Sequence, residues 1–245
     1  MPLYRPESPV PYGRVLWEAL LAASPTDRLR ALLGIRHPVL LAPMAGGPTT
    51  PELVAAVSEA GGLGAFGATG MSAESLASAV RRARELTDAP VGVNVLLAPP
   101  TEPDPRGRDP HEALAPLRRA LGMAGDPPSP PPASPAAELV QAGLEAGARV
   151  LSVAMGDPAP VVPAARAAGV PLVASATTVA DAERAVASGA DAIVAQGGEA
   201  GGHRSLLDDA GGEIPLVGTF ALVPQVVRAV DVPVVAAGGV MDGRG

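Results

Sequence analysis

The stretch Pro171–Gln196, PLVASATTVADAERAVASGADAIVAQ, contains one complete unit of the architecture read from this sequence. It opens on a short apolar run, Pro171–Ser175, passes through a loop into an Ala-rich amphipathic segment, and returns to a second apolar run, Asp191–Gln196. Runs that are apolar at consecutive positions suit strands covered on both faces. A parallel sheet flanked by helices provides that setting, and a right-handed crossover through one helix joins the two strands.

The same unit recurs outward from this stretch. Val39–Pro43, Leu63–Phe66, Val91–Leu97 and Arg149–Val153 read as strands before it and Pro233–Ala237 as one after it, with helices predicted over about 50–60 and 73–86. Strand and helix in alternation, seven strands in all, point to a (β/α)8 TIM barrel, and the barrel is expected to be truncated after the seventh strand. A dinucleotide-binding doubly wound sheet would need G-x-G-x-x-G after the first strand and an acid ending the second, and neither is present.

Residues 1–27 read as an N-terminal arm, with an apolar helix candidate at Val15–Ala23 that carries Trp17, and residues 28–245 as the barrel. Ser24-Pro25-Thr26-Asp27 is a helix-start pattern. Leu29, Leu32 and Leu33 give the following helix an apolar side before Gly34 stops it, and such a helix would plug the bottom of the barrel. An insertion at about 98–135 holds a helix candidate, His111–Leu121, and a Pro-Pro-Ser-Pro-Pro-Pro run that neither pairs in a sheet nor continues a helix. Two readings of this insertion stand: a lid over the catalytic face, or a disordered linker.

Composition removes several chemistries. Without cysteine there are no disulfides, thiolate metal sites or cysteine nucleophile. All 18 basic residues are arginine, so Schiff-base and pyridoxal-phosphate anchoring by lysine is excluded. His37, His111 and His203 are too dispersed for a metal cluster. A net charge of −7 with no basic stripe argues against a nucleic-acid partner. Every apolar run is interrupted short of a membrane span and no signal peptide is visible, so a soluble, cytoplasmic protein is expected. A barrel with this inventory needs a cofactor for difficult chemistry.

The sixth predicted strand runs into Gly197-Gly198-Glu199-Ala200-Gly201-Gly202-His203-Arg204. Paired glycines let backbone N–H groups approach a flat ring or a phosphate, and a histidine just beyond them can move a proton near neutral pH. A tight left-handed turn whose histidine caps the next segment is the structural alternative. Asn94, the sole asparagine, sits in an otherwise apolar strand. Its amide needs a partner there, which either a cofactor edge or a hydrogen bond inside the barrel supplies. Arg204 reads as a solvated surface side chain or an anion guide, and Glu199 as a residue that orients the turn.

Ala42-Pro43-Met44-Ala45-Gly46, Gly61-Gly62-Leu63-Gly64, Val93-Asn94, the 196–203 segment and Ala236-Ala237-Gly238-Gly239 occur in order at barrel spacing. Together, over about Leu29–Gly245, they closely resemble the nitronate monooxygenase family, also called 2-nitropropane dioxygenases. Relatives of that family include FMN-dependent enoyl-acyl carrier protein reductases. The resemblance implies FMN at the C-terminal mouth of the barrel. Pro43 and Met44 would lie along the flavin ring, Asn94 and Gln196 would hydrogen-bond to the cofactor, and Gly201, Gly202, Gly238 and Gly239 would approach from the phosphate side. His203 would act on the substrate, as a base for a nitroalkane or a donor to a bound anion. The implied reaction is oxidation of an alkyl nitronate by O2 to a carbonyl compound and nitrite. Reduction of an enoyl thioester or quinone by NAD(P)H through FMN is the rival activity, and a non-catalytic barrel the rival outside enzymes. The family's Gly-Thr pair after an eighth strand has no counterpart before Gly245.

Overall fold

A computed structural model describes residues 24–97, 110–123, 134–207 and 215–242. Six strands, β1 (Gly64–Gly67), β2 (Val91–Leu96), β3 (Val150–Ala154), β4 (Leu172–Ala176), β5 (Ala192–Gln196) and β6 (Val234–Ala237), form one sheet in sequence order. Every pairing is parallel. The described helices are α1 (Pro25–Leu33), α2 (Pro51–Glu59), α3 (Ala73–Leu86), α4 (Pro110–Ala120), α5 (Ala136–Glu145), α6 (Val162–Ala168), α7 (Val179–Ala187) and α8 (Thr219–Ala229). Parallel neighbours in sequence order, joined by helical crossovers, make this an α/β barrel that is incomplete over the described residues. The arm before Ser24 and the proline run of the insertion lie outside those residues. No described helix is long and apolar enough to cross a membrane.

One element differs from the sequence expectation. Val39–Pro43 is not a ladder strand: it is reduced to a single parallel bridge between Leu40 and Leu63. Leu41 N–H donates to the Leu63 carbonyl and Leu63 N–H to that of Val39. The next donor on that side belongs to residue 43, a proline without an N–H, and the chain then turns away through Gly46 and Gly47 at φ 80° and 109°.

Side chains alternate along each strand, and the two faces have different tasks. Outward residues such as Phe66, Val93, Leu151 and Ile193 pack against Leu76 and Val80 of α3, Leu139 of α5 and Leu222 of α8. Inward residues near the strands' N-terminal ends, Leu63, Val150, Val173 and Ala192, form a second core with Leu29, Leu33 and Ile35. This is the expected bottom plug. Ser24 caps α1 by accepting from Asp27 N–H, Gly34 ends it at φ 69°, and Arg28 donates to the Asp231 carbonyl just before β6. Two residues further along the same inward rows the chemistry changes: Val150 gives way to Ser152 and Val173 to Ser175, while Asn94 faces Ser152 across the β2–β3 pairing and Gln196 ends β5.

The close packing of α2 on β1 depends on a missing side chain. A Cβ on Gly64 would lie 2.0 Å from the Val54 carbonyl oxygen, a backbone atom that cannot swing aside. We expect Gly64→Ala and Leu33→Ala each to lower the unfolding free energy by about 2–3 kcal/mol, the first by overpacking and the second by opening a void under the plug. Urea titration followed by circular dichroism measures both.

Candidate active site at the strand ends

The segment after β5 is held down by side chains on nearly every side. Gln196 uses both ends of its amide on this loop: Nε2 donates to the His203 carbonyl at 2.8 Å, and Oε1 accepts the Ser205 N–H at 2.9 Å. The Arg204 guanidinium donates to the carbonyls of Gln196, Gly197 and Pro215 at 3.0, 2.7 and 2.9 Å. Its Nε is buried and has no partner among the described residues. This corrects the sequence reading of Arg204 as a solvated side chain. Carbonyls leaving a strand end need donors, and a planar fork with several N–H groups serves three of them at once.

Glu199 links the loop to α8. Its Oε2 accepts the Thr219 N–H at 2.7 Å and the Thr219 hydroxyl at 2.8 Å, at the end of the helix where free N–H groups favour an anion. These contacts, the backbone N–H first, then the hydroxyl and the nearby Arg204 charge, hold the Glu199 carboxyl below its ordinary value. Contact between loop and helix is close enough that a Cβ on Gly197 would fall 1.9 Å from Thr219 Oγ1. Gly238, after β6 and at φ 125°, lies against the same place, and its Cβ would meet Thr219 Oγ1 at 2.6 Å and the Ala200 nitrogen at 2.8 Å. The structure thus brings Gln196, the Gly197–His203 turn, Gly238 and Gly239 into one group. His203 is exposed on it, as are Gly201 and Gly202, and no atom lies within 4 Å of where a Cβ on either glycine would sit.

A second group lies at the β1–β3 end of the same face. Thr49 Oγ1 donates to the Met44 carbonyl at 2.9 Å, and a Cβ on Gly67 would overlap the backbone of Met44 and Ala45. Gly67 is in register with Asn94, and Asn94 Nδ2 donates to Ser152 Oγ at 3.0 Å, so the Pro43-Met44 turn, Asn94 and Ser152 are neighbours. Between the two groups stands Met155, which follows β3 at φ 58°. A left-handed conformation costs an ordinary L-residue roughly 1–2 kcal/mol. Two clefts of about 280 Å³ lie at the opposite end, beside Arg36 and Glu59 and beside Arg166 and Asp191, and hold none of these residues.

Ser152, Ser205 and Thr219 were not singled out from the sequence. Gly218-Thr219 before an apolar run is a helix-start signal, and Ser152 interrupts an apolar strand, so both had legible cues. Ser205 had none.

The fold and this face define a class: an α/β barrel with glycine turns and loop side chains gathered at the C-terminal strand ends, the face where such barrels carry their sites. The chain belongs to the nitronate monooxygenase family, whose sequence profile matches residues 26–245. A nitronate monooxygenase of Pseudomonas aeruginosa is 41% identical over 233 residues, covering 90% of this chain and 64% of the relative. A probable nitronate monooxygenase of Staphylococcus saprophyticus is 38% identical over 223 residues, covering 90% of this chain and 62% of the relative. The chain therefore spans less than two thirds of the length of these relatives. Among solved structures, a nitroalkane oxidase from Streptomyces ansochromogenes superposes with a TM-score of 0.70 at 35% identity, over 88% of this chain and 62% of that one. FabK of Thermotoga maritima, as its M276A mutant, gives 0.68 at 34% identity, over 89% and 58%.

The depressed Glu199 carboxyl fixes the sign of one pH effect. A group whose folded value lies below its unfolded one contributes stability above the unfolded value and loses it as pH falls through the folded one. The loop–α8 link should hold at neutral pH and loosen below the ordinary glutamate range. Hydrogen exchange at the Thr219 amide, corrected for intrinsic rate, should gain protection from acid to neutral pH in the wild type and lose that dependence in Glu199→Gln.

Proposed function

We propose that this chain carries the FMN-binding face of an enzyme that oxidises alkyl nitronates with O2 to a carbonyl compound and nitrite. The observation that carries this reading is the glycine-rich turn bearing His203, anchored over the strand ends beside Gly238 in a chain of this family.

The residues present suit a flavin nucleotide. Gly238 occupies a turn that no side chain could enter, and Gly201 and Gly202 leave open space above exposed backbone, so a flat or anionic group can reach N–H donors there. Glu199 already occupies the Thr219 N–H at the start of α8, which leaves the phosphate to the Gly238–Gly239 turn. Pro43 and Met44 would flank the ring and Asn94, with Ser152, would pair with its polar edge. Gln196 would serve the cofactor indirectly, since its amide holds the turn. Bound FMN supplies the redox chemistry.

The chain's own part is to position and protonate. His203 would hydrogen-bond an oxygen of the bound nitronate, or accept the proton from the carbon next to the nitro group when a neutral nitroalkane is bound. The substrate is a small anion, and exposed N–H groups at strand ends favour one. The same face with NAD(P)H as donor gives the second reading, reduction of an enoyl thioester or quinone, which the likeness to FabK favours.

Purified protein supplied with FMN should develop a flavin absorption spectrum and release nitrite from a nitronate in air. His203→Ala should keep the spectrum and lose turnover by about 100-fold. A colourless protein that takes up no FMN would sink the proposal. Rapid anaerobic bleaching by NADPH, with no response to nitronate, would replace it with the reductase reading.

A further inference from the structure

We infer that Ser205 is a positioning residue, whose one hydroxyl fixes the His203 loop to the ends of β3 and β4 and keeps that loop and the Met155 turn in a single arrangement. The inference rests on the role given to His203 above. Ser205 is 1% exposed and lies two residues beyond His203. Its Oγ donates to the Ser175 carbonyl at 3.0 Å and accepts the Met155 N–H at 3.0 Å, while its own N–H goes to Gln196 Oε1. A hydroxyl has one proton and two lone pairs, and here it satisfies a carbonyl and an N–H from two different strand ends. With the Gln196 contact, the ends of three consecutive strands meet on one residue.

The other ties do not do this. Arg204 reaches the carbonyls of Gln196, Gly197 and Pro215, and Glu199 reaches the start of α8, so both hold the loop on the β5–α8 side alone. Among the described residues it is Ser205 that reaches across to Met155, the one non-glycine residue there at positive φ. A methionine stays in that region only where its surroundings hold it, and the hydrogen bond from its N–H to Ser205 is such a hold. Removing the hydroxyl frees the β3 turn and the His203 segment together. The loop stays attached through Gln196, Arg204 and Glu199, and the Gly238–Gly239 turn is untouched. FMN binding, which the Gly238–Gly239 turn would still support, should therefore weaken less than the alignment of His203.

The test uses Ser205→Ala in the full chain, with hydrogen exchange, corrected for intrinsic rate, resolved at Met155 and at residues 205 and 206, whose N–H groups go to Gln196 Oε1 and to the Arg204 carbonyl. Exchange should quicken at both places by about tenfold or more, while Val194 in mid-β5 keeps its wild-type rate. With a nitronate as substrate, kcat of the FMN-saturated enzyme should fall by about 100-fold, with KM within about twofold and FMN uptake, read by fluorescence quenching, weakened by less than about tenfold. Ser205→Cys, close in shape but weak as donor and acceptor, should lie between wild type and Ala. It also supplies the measurement if the Ala variant does not fold. Wild-type exchange at Met155 in these variants, or a loss of kcat that merely follows loss of FMN, overturns the inference. If the wild type itself does not oxidise nitronates, the functional reading fails separately and exchange decides alone. Coupled loosening at Met155 and at residues 205 and 206 supports the Ser205 link, and loosening at one place or neither refutes it.

Discussion

The arrangement of the candidate site depends on the contact between Gly197 and Thr219. At this point the backbone leaving β5 passes so close to the first turn of α8 that not even a methyl group fits between them. Everything beyond follows from that approach. It brings Glu199 to the free N–H at the helix start, puts Ala200 beside Gly238, and leaves Gly201, Gly202 and His203 on the outside of the turn. A loop anchored this way loses much of its conformational freedom before any ligand arrives, which is the condition under which a single imidazole can be aimed.

Fixing the loop combines two kinds of electrostatics. Arg204 directs its guanidinium to neutral carbonyls at the end of a strand. Glu199 carries a charge that acid removes and spends it on a helix start. The Glu199 half of the anchorage therefore weakens in acid, within a few residues of His203.

The architecture was largely legible in the sequence. Six of the seven expected strands appear within a residue or two of their expected limits, because consecutive apolar residues between Gly and Pro boundaries admit few other readings. The segment Val39–Pro43 shows the limit of that logic: its apolar character is that of a strand, but the proline at 43 removes a ladder donor that hydropathy does not register. The site was legible in part. Glycine pairs and a histidine are visible as residue types, and Glu199 orients the turn as expected. The inward folding of Arg204 and the three-way role of Ser205 depend on which carbonyls and N–H groups meet after folding, information that no local pattern holds. Asn94 illustrates the intermediate case, since its need for a partner was evident but the partner, Ser152, lies on another strand.

The inward rows of the barrel change from leucine and valine beside α1 to serine, asparagine and glutamine at the far end within two or three residues. A single strand is therefore foundation for part of its length and workbench for the remainder. Depth along the cylinder, more than the element a residue belongs to, separates side chains that fill the floor from side chains that keep polar atoms at the rim. Polar substitutions at the rim leave the hydrocarbon floor, and the packing it supplies, as it was.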